Sequence, residues 1–512
     1  MQAKTQDFET IGVVGAGAMG KGIVQIAAQA GCRVILFDQQ LDAAHKARQT
    51  LSETWTKLAG KGKLTEAAAA QALANVHVAQ SLAELADCDL VIEAIVERLD
   101  IKQALFRELE GVVASGCALV SNTSSLSVTA IASACSRPER VAGYHFFNPV
   151  PLMKVVEVID GLRSDPAVGD ALMRLSQRMG HTPVRAKDMP GFIVNHAGRG
   201  FGTEGFRVVQ EGVTDYATVD DIMREQCGFR MGPFELMDLT GLDVSHAVME
   251  SVYRQFYDET RFRPSPLGAV RVAAGLFGKK TGAGFYDYVE GRKKEPALPT
   301  SPEVTDWPAV WVSPAHDHGH QWAMTLLTAL GATIQTGSRP NPDDLIVVTP
   351  FGEDVSSVVA SQRLDATRTV GIDGFGAGQP ARRRTLMVSP ATLPQWRDTA
   401  HALLARDQVS VSVIQDSPGF VAQRVLATIV NIACEIAQQQ IASPTDIDRA
   451  VKLGLNYPDG PLALGDSLGA ARVMEILTNL ESVTGDMRYR PSLWLKRRVQ
   501  LGMSLLAPSA TA

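Results

Sequence analysis

The chain has 512 residues. Typical domains run to roughly 100–200, so three to five domains is the starting expectation. With 45% hydrophobic residues, 20% charged residues and 44 glycines, it is neither disordered nor collagenous nor fibrous. The net charge of −6, with no basic stripe, argues against nucleic-acid binding.

The six cysteines (Cys32, Cys88, Cys117, Cys135, Cys227 and Cys434) form no CxxC pair, which points to a reducing compartment. The opening MQAKTQDFET is polar and acidic, and reads as neither a signal peptide nor an Arg-rich transit sequence. No apolar run approaches the ~20 residues of a membrane span. The longest, Val425–Ala437, is interrupted by Thr428, Asn431 and Glu435 and suits a buried or interface helix. The expectation is a cytoplasmic protein with no membrane partner.

Residues 11–38 carry the first functional signal. IGVV reads as a buried strand, KGIVQIAAQAG as a helix and RVILFD as a second strand. Between strand and helix lies Gly15-Ala16-Gly17-Ala18-Met19-Gly20, a GxGxxG loop in its required setting. Gly15 allows the tight turn, Gly17 lets backbone approach a pyrophosphate, and Gly20 allows close helix packing. The helix N-terminus offers unpaired N–H groups to phosphate. Asp38 closes the second strand, where a carboxylate bonds ribose hydroxyls and repels a 2′-phosphate. NAD is expected, with FAD as the competitor. Three more strands are expected at Asp89–Ile95, Ala118–Ser121 and from Val141. Lys57, Lys61 and Lys63 read equally as a solvated face or a phosphate contact.

Two histidine groups follow. His316, His318 and His320 resemble a metal tract in composition, but nearby acids are few and no metal is expected. His145 ends a strand in AGYHFFNPVP, where Asn-Pro and a following Pro turn the chain. The next strand, MKVVEVI, brings Glu157 back opposite it. A carboxylate that holds an imidazole keeps it in one tautomer, as a general base requires. On spacing alone, a structural hydrogen bond is the favoured reading over catalysis.

SNTSSL (121–126), GYHFFNPVPLMKVVEVI (143–159), KDMPGFIVN (187–195), MGPFELMDLTGLD (231–243) and GKKTGAGFYDY (278–288) are joined to GAGAMG in one order. Together they resemble the L-3-hydroxyacyl-CoA dehydrogenase family. The resemblance implies an α/β Rossmann domain followed by an all-α helical domain, acting on an acyl-CoA with NAD. It implies His145 as general base, Glu157 as its orienting carboxylate, and Ser124 and Asn195 as partners of the substrate oxygen. It places Glu97, Lys102, Asn122, Asn148 and Lys280 at the NAD site and Lys61, more loosely, at coenzyme A.

One stretch departs from the family pattern. HAGRGFGTEGF sets Gly198, Gly200, Gly202 and Gly205 in an expected helix, each costing about 1 kcal/mol against alanine. Close approach of a partner helix or of the acyl chain would offset this. Arg199, one turn beyond Asn195, reads either as a packed surface arginine or as the partner of a terminal substrate carboxylate.

The sequence then repeats itself. After a Pro- and Lys-rich linker, KDMPGFIVN (187–195) returns as QDSPGFVAQ (415–423), an offset of 228. Asp220, Gly232, Pro233, Asp238 and Gly241 return as Asp448, Gly460, Pro461, Asp466 and Gly469. Farther upstream the offset becomes 298, so about 70 residues of the nucleotide-binding sheet are missing from the second copy. There His145 becomes Asp373, Glu157 becomes Thr385, Ser124 becomes Gly352 and Asn195 becomes Gln423. The expected organisation is a Rossmann domain (1–186), a helical domain (187–290), a linker (291–308), a degenerate shortened α/β domain (309–414) and a second helical domain (415–506). Long bacterial relatives, including 3-hydroxyadipyl-CoA and 3-hydroxybutyryl-CoA dehydrogenases, resemble this layout. The resemblance implies pairing of the two helical domains within the chain, and a homodimer remains open. The competing functions are a dehydrogenase of free 3-hydroxyacids and a non-catalytic structural relative.

Overall fold

A computed structural model describes residues 8–295, 301–375 and 382–509; residues 1–7, 296–300 of the expected linker, 376–381 of the expected shortened α/β domain and 510–512 lie outside it. The described residues form two compact units. One holds residues up to His196 together with Gln439–Leu455; the other holds Ala197–Gln438 and Asn456 onward.

The first unit is built on eight strands: β1 (Thr10–Val14), β2 (Arg33–Phe37), β3 (Val76–Val78), β4 (Leu90–Glu93), β5 (Ala118–Ser121), β6 (Val141–Phe146), β7 (Val155–Asp160) and β8 (Thr182–Lys187). Their order is β3-β2-β1-β4-β5-β6-β7-β8. All neighbours run parallel except β6 and β7. Both faces are covered, so the strands are continuously apolar rather than alternating. Leu90 and Ile92 join a core with Ile11, Val13, Val24 and Trp55. Val91, between them, points to the opposite core with Phe106, Leu109 and Leu119.

The second unit contains a short ribbon, β9 (Tyr288–Val289) with β10 (Arg292–Lys293), and a six-stranded sheet. The sheet comprises β11 (Val310–Val312), β12 (Ile334–Gln335), β13 (Leu345–Val348), β14 (Thr369–Ile372), β15 (Arg383–Val388) and β16 (Ser410–Gln415). Its order is β12-β11-β13-β14-β15-β16, with one antiparallel pair, β14–β15. This repeats β2-β1-β5-β6-β7-β8. By position, β3 and β4 are the strands without counterparts, which accounts for the shortened upstream alignment.

The glycine-rich stretch is helical, Arg199–Gln210. It packs on the helix Ala422–Gln438, its own counterpart in the second copy. A Cβ on Gly200 would stand 3.1 Å from both Thr428 and Ile432 side chains, and one on Gly205 would stand 2.8 Å from the Pro233 ring. The glycines therefore let neighbouring elements come close. Between the two helices lies a charged pair: Arg424 is fully buried and Glu204 is 1% exposed, 2.8 Å apart. The Tyr489 hydroxyl donates to the same Glu204 oxygen at 2.6 Å, and Arg424 also reaches Glu211 at 2.8 Å. Removing one partner of such a pair leaves an uncompensated buried charge. Arg424→Met is expected to lower stability by about 3–5 kcal/mol in urea unfolding. Adding Glu204→Gln to that variant is expected to recover part of the loss.

Candidate active site

Gly15 adopts φ +109°, and a Cβ there would meet the Ala94 carbonyl oxygen at 2.5 Å. Gly17 has open space where a Cβ would be, as a backbone that admits a ligand requires. Gly20 lies against Gly15, where a Cβ would overlap the carbonyl oxygen. The helix Ala18–Gln29 then begins with no side-chain cap, leaving its first N–H groups to an incoming phosphate. Asp38 is already fixed: its Oδ2 accepts from Ala16 N–H at 2.7 Å and its Oδ1 from Gln40 N–H at 2.9 Å.

These residues open onto a cleft of about 660 Å³, lined by Gly15, Gly17 and Asp38 on one side and by Phe37, Leu82, Ile101 and Leu105 on another. The chemistry fits a dinucleotide: glycine backbone for pyrophosphate, a carboxylate for ribose, an apolar slot for a base.

The second cluster rests on the antiparallel step of the sheet. His145 on β6 pairs directly with Glu157 on β7. His145 Nδ1 lies 2.6 Å from Glu157 Oε2; the imidazole is 5% exposed and the carboxylate fully buried. The other carboxylate oxygen, Oε1, accepts from both Ile193 N–H and Val194 N–H at 2.9 Å. The Pro-Gly-Phe turn aims those two donors inward, with Gly191 at φ +74° and Phe192 at φ +48°. A left-handed aromatic costs roughly 1–2 kcal/mol. The Phe192 side chain is buried, and its ring centroid lies 5.9 Å from that of His145. With every Glu157 oxygen accepting, Nδ1 is the donor, and Nε2 is left as the basic nitrogen.

The loop after β5 brings Ser124 and Asn195 together: Asn195 Nδ2 donates to the Ser124 carbonyl at 3.3 Å. Glu97 organises this loop, accepting from Thr123 Oγ1 at 2.7 Å, Ser124 N–H at 2.8 Å and Ser125 N–H at 3.1 Å. Burial opposes it, but Lys102 and the Thr123 and Ser124 bonds hold the Glu97 carboxyl below its ordinary value. Lys102 is itself buried between Glu93 and Glu97. Asn122 accepts from Phe146 N–H at 2.9 Å, beside His145, and Asn148 is exposed just past the strand.

Lys61 is exposed at the end of the helix Leu41–Gly60 and does not line the cleft. Lys280 belongs to the second unit and pairs with Asp243 at 2.6 Å. Arg199 is half-buried there at the start of its helix, where burial pulls it down to about 10 and Tyr457 opposes the shift. His316, His318 and His320 form no group able to hold a metal among the described residues.

Sequence reasoning missed Glu93, which receives Lys102, Ser121 Oγ and Ile95 N–H. A carboxylate inside the apolar run DLVIEAI was the signal. It also missed Asp188, which accepts from Ser127 Oγ, Val128 N–H and Thr129 N–H and ties β8 to the loop after β5.

In the second copy the positions of the dyad are bridged differently. Asp373 accepts from Gln423 Nε2 and Gln226 Nε2, both at 2.9 Å, and Gln226 Oε1 accepts from Thr385 at 2.7 Å. Every polar atom there serves another protein atom.

A dinucleotide cleft and a His–carboxylate pair on the same sheet are the marks of an NAD-dependent dehydrogenase. The family model for the 3-hydroxyacyl-CoA dehydrogenase NAD-binding domain matches residues 10–189, and that for the C-terminal domain matches 191–288 and 419–505. The chain belongs to the 3-hydroxyacyl-CoA dehydrogenase family. It is 36% identical over 497 residues to the 3-hydroxyadipyl-CoA dehydrogenase of Escherichia coli K12, covering 97% of this chain and 98% of that protein. A probable 3-hydroxybutyryl-CoA dehydrogenase of Deinococcus radiodurans is 42% identical over 54% of this chain and 99% of its own length. A crystal structure of 3-hydroxybutyryl-CoA dehydrogenase from Escherichia coli K12 superposes with a TM-score of 0.85 at 34% identity, covering 97% of this chain and 99% of that one. The second C-terminal match, at 419–505, falls on the repeat.

Burial pushes the Asp373 carboxyl up to about 6, against the hydrogen bonds from Gln423, Phe375 N–H and Gln226. A carboxyl raised above its unfolded value of ~3.9 binds its proton more tightly when folded, so its stabilising effect is full below pH ~4. That effect is lost as pH rises through about 6. Relative to Asp373→Asn, the wild type is therefore expected to gain about 2 kcal/mol of unfolding free energy between pH 7 and pH 4, measured by denaturant titration.

Proposed function

We propose that this enzyme oxidises (S)-3-hydroxyacyl-CoA to 3-oxoacyl-CoA, with His145 as general base. The observation that carries this reading is the Glu157 carboxylate, which holds His145 Nδ1 at 2.6 Å with one oxygen while Ile193 and Val194 hold the other. His145 Nε2 takes the proton of the substrate's 3-hydroxyl, and Glu157 stabilises the imidazolium that results. Ser124 and Asn195, already joined by a hydrogen bond, hold the substrate oxygen in reach. NAD, held by the glycine loop and Asp38, accepts the hydride from C3 when bound. Glu97, Lys102, Asn122, Asn148 and Lys280 are assigned to the nucleotide, and Lys61 to coenzyme A. The degradation of fatty acids or of phenylacetate-type aromatics would supply such substrates.

The domain limits of 1–186, 187–290, 309–414 and 415–506, joined by a linker at 291–308, belong to the same proposal. So does pairing of the two helical repeats within one chain, which the Gly200 contacts and the Glu204–Arg424 pair support. The second copy would carry neither NAD nor activity, because Asp373, Thr385, Gly352 and Gln423 replace the four reacting positions.

The test follows NADH consumption with acetoacetyl-CoA. His145→Ala is expected to lower kcat by about 10²–10⁴-fold, the usual contribution of a positioned acid–base group. A fully active His145→Ala would remove the assignment, and turnover of free acetoacetate in place of its CoA ester would favour a free-acid dehydrogenase. The acyl end is settled by kcat/KM for adipyl and butyryl substrates. A loss confined to the adipyl substrate in Arg199→Ala is required if that guanidinium meets a terminal carboxylate, and an equal loss for both excludes it.

A further inference from the structure

The two copies exchange a segment. Residues 439–455, which by the offset of 228 match 211–227, belong to the unit of the first sheet, whereas 211–227 belong to the unit of the second. The contacts are reciprocal. Lys187 N–H at the end of β8 donates to the Ile441 carbonyl at 2.8 Å, and Gln415 N–H at the end of β16 donates to the Val213 carbonyl at 2.9 Å. Each of these four residues lies 228 positions from its counterpart. The helix Pro444–Leu455 packs on β7 and β8, while the turn Ile222–Gln226 packs on β15.

Within this exchange one pair of equivalent positions differs in a telling way. In the second sheet Gln226 reaches between Asp373 and Thr385, the residues at the places of His145 and Glu157. Its counterpart in the first sheet is Gly454. A Cβ on Gly454 would stand 3.0 and 3.1 Å from the two methyls of Val194 and 3.5 Å from a methyl of Val155. Val155 points to the same face of β7 as Glu157, two residues on. Val194 is one of the two residues whose N–H holds Glu157 Oε1. In the second copy the residue at the place of Val194 is Ala422, smaller by two methyl groups.

We propose that Gly454, delivered by the catalytically silent copy, is a positioning residue of the dehydrogenase. Its missing side chain lets Val194 lie close enough to keep its N–H on Glu157, and so keeps Glu157 on His145. The second copy then forms the rear wall of the first copy's reacting centre. The inference rests on the His145–Glu157 mechanism proposed above.

The test uses the full chain and three variants: Gly454→Val, Gly454→Ala, and Gly454→Val combined with Val194→Ala. Gly454→Val is expected to lower kcat with acetoacetyl-CoA by tenfold or more while KM for NADH stays within twofold. The double variant, which makes room as Ala422 does, is expected to recover most of the loss. Gly454→Ala places the clashing atom with the smallest insult, and carries the test on its own if the valine variant does not fold. Unchanged kcat in a folded variant overturns the inference. So does a loss that Val194→Ala leaves in place, or a rise in KM for NADH in parallel. Inactive wild type would instead sink the proposed reaction, before any Gly454 variant is compared.

Discussion

The structure turns on one buried carboxylate. Glu157 is fully buried and accepts from three donors on two segments: the His145 imidazole on β6, and the adjacent Ile193 and Val194 N–H groups after β8. An unpaired carboxylate in such a place would be costly, so burial and bonding require each other. The antiparallel β6–β7 step puts the histidine opposite it. The Pro-Gly-Phe turn, with Phe192 held at positive φ, supplies the backbone donors. The tautomer of His145 then follows from how the carboxylate is used.

The duplicated half keeps some local features of the first and changes others. Gly419 and Phe420 repeat the positive φ values of Gly191 and Phe192. Asp416 repeats Asp188, accepting from Val355 N–H, Ser356 N–H and Ser356 Oγ. These groups organise backbone, the two aspartates by accepting from the N–H groups that open a helix. The positions that changed include those aligned with His145, Glu157 and Asn195. Asp373, Thr385 and Gln423 are satisfied by one another and by Gln226 in a closed hydrogen-bonded network.

Much of this was legible in the sequence because it is local or periodic. The glycine loop, Asp38 and the opposed His145 and Glu157 all lie within single supersecondary units, where strand period and turn chemistry fix the geometry. The repeat was readable because the Pro-Gly-Phe and Gly-Pro landmarks keep one offset. The segment exchange was not, because contacts such as Lys187 with Ile441 join residues far apart in the chain and leave no local pattern. Gly454, in VKLGLN, looks like an ordinary helix-end glycine until Val194 is placed beside it. Glu93 and Lys102 read as a strand acid and a helix lysine, and only packing shows that they neutralise each other in the interior.

The central claim is that Glu157 sets the state of His145, and the tautomer reports it directly. In histidine-labelled enzyme, ¹⁵N NMR above the imidazole's titration range is expected to show His145 with its proton on Nδ1 and a bare Nε2. Glu157→Gln is expected to convert it to a tautomer mixture. A proton on Nε2 in the wild type, or a spectrum indifferent to Glu157→Gln, would contradict the account.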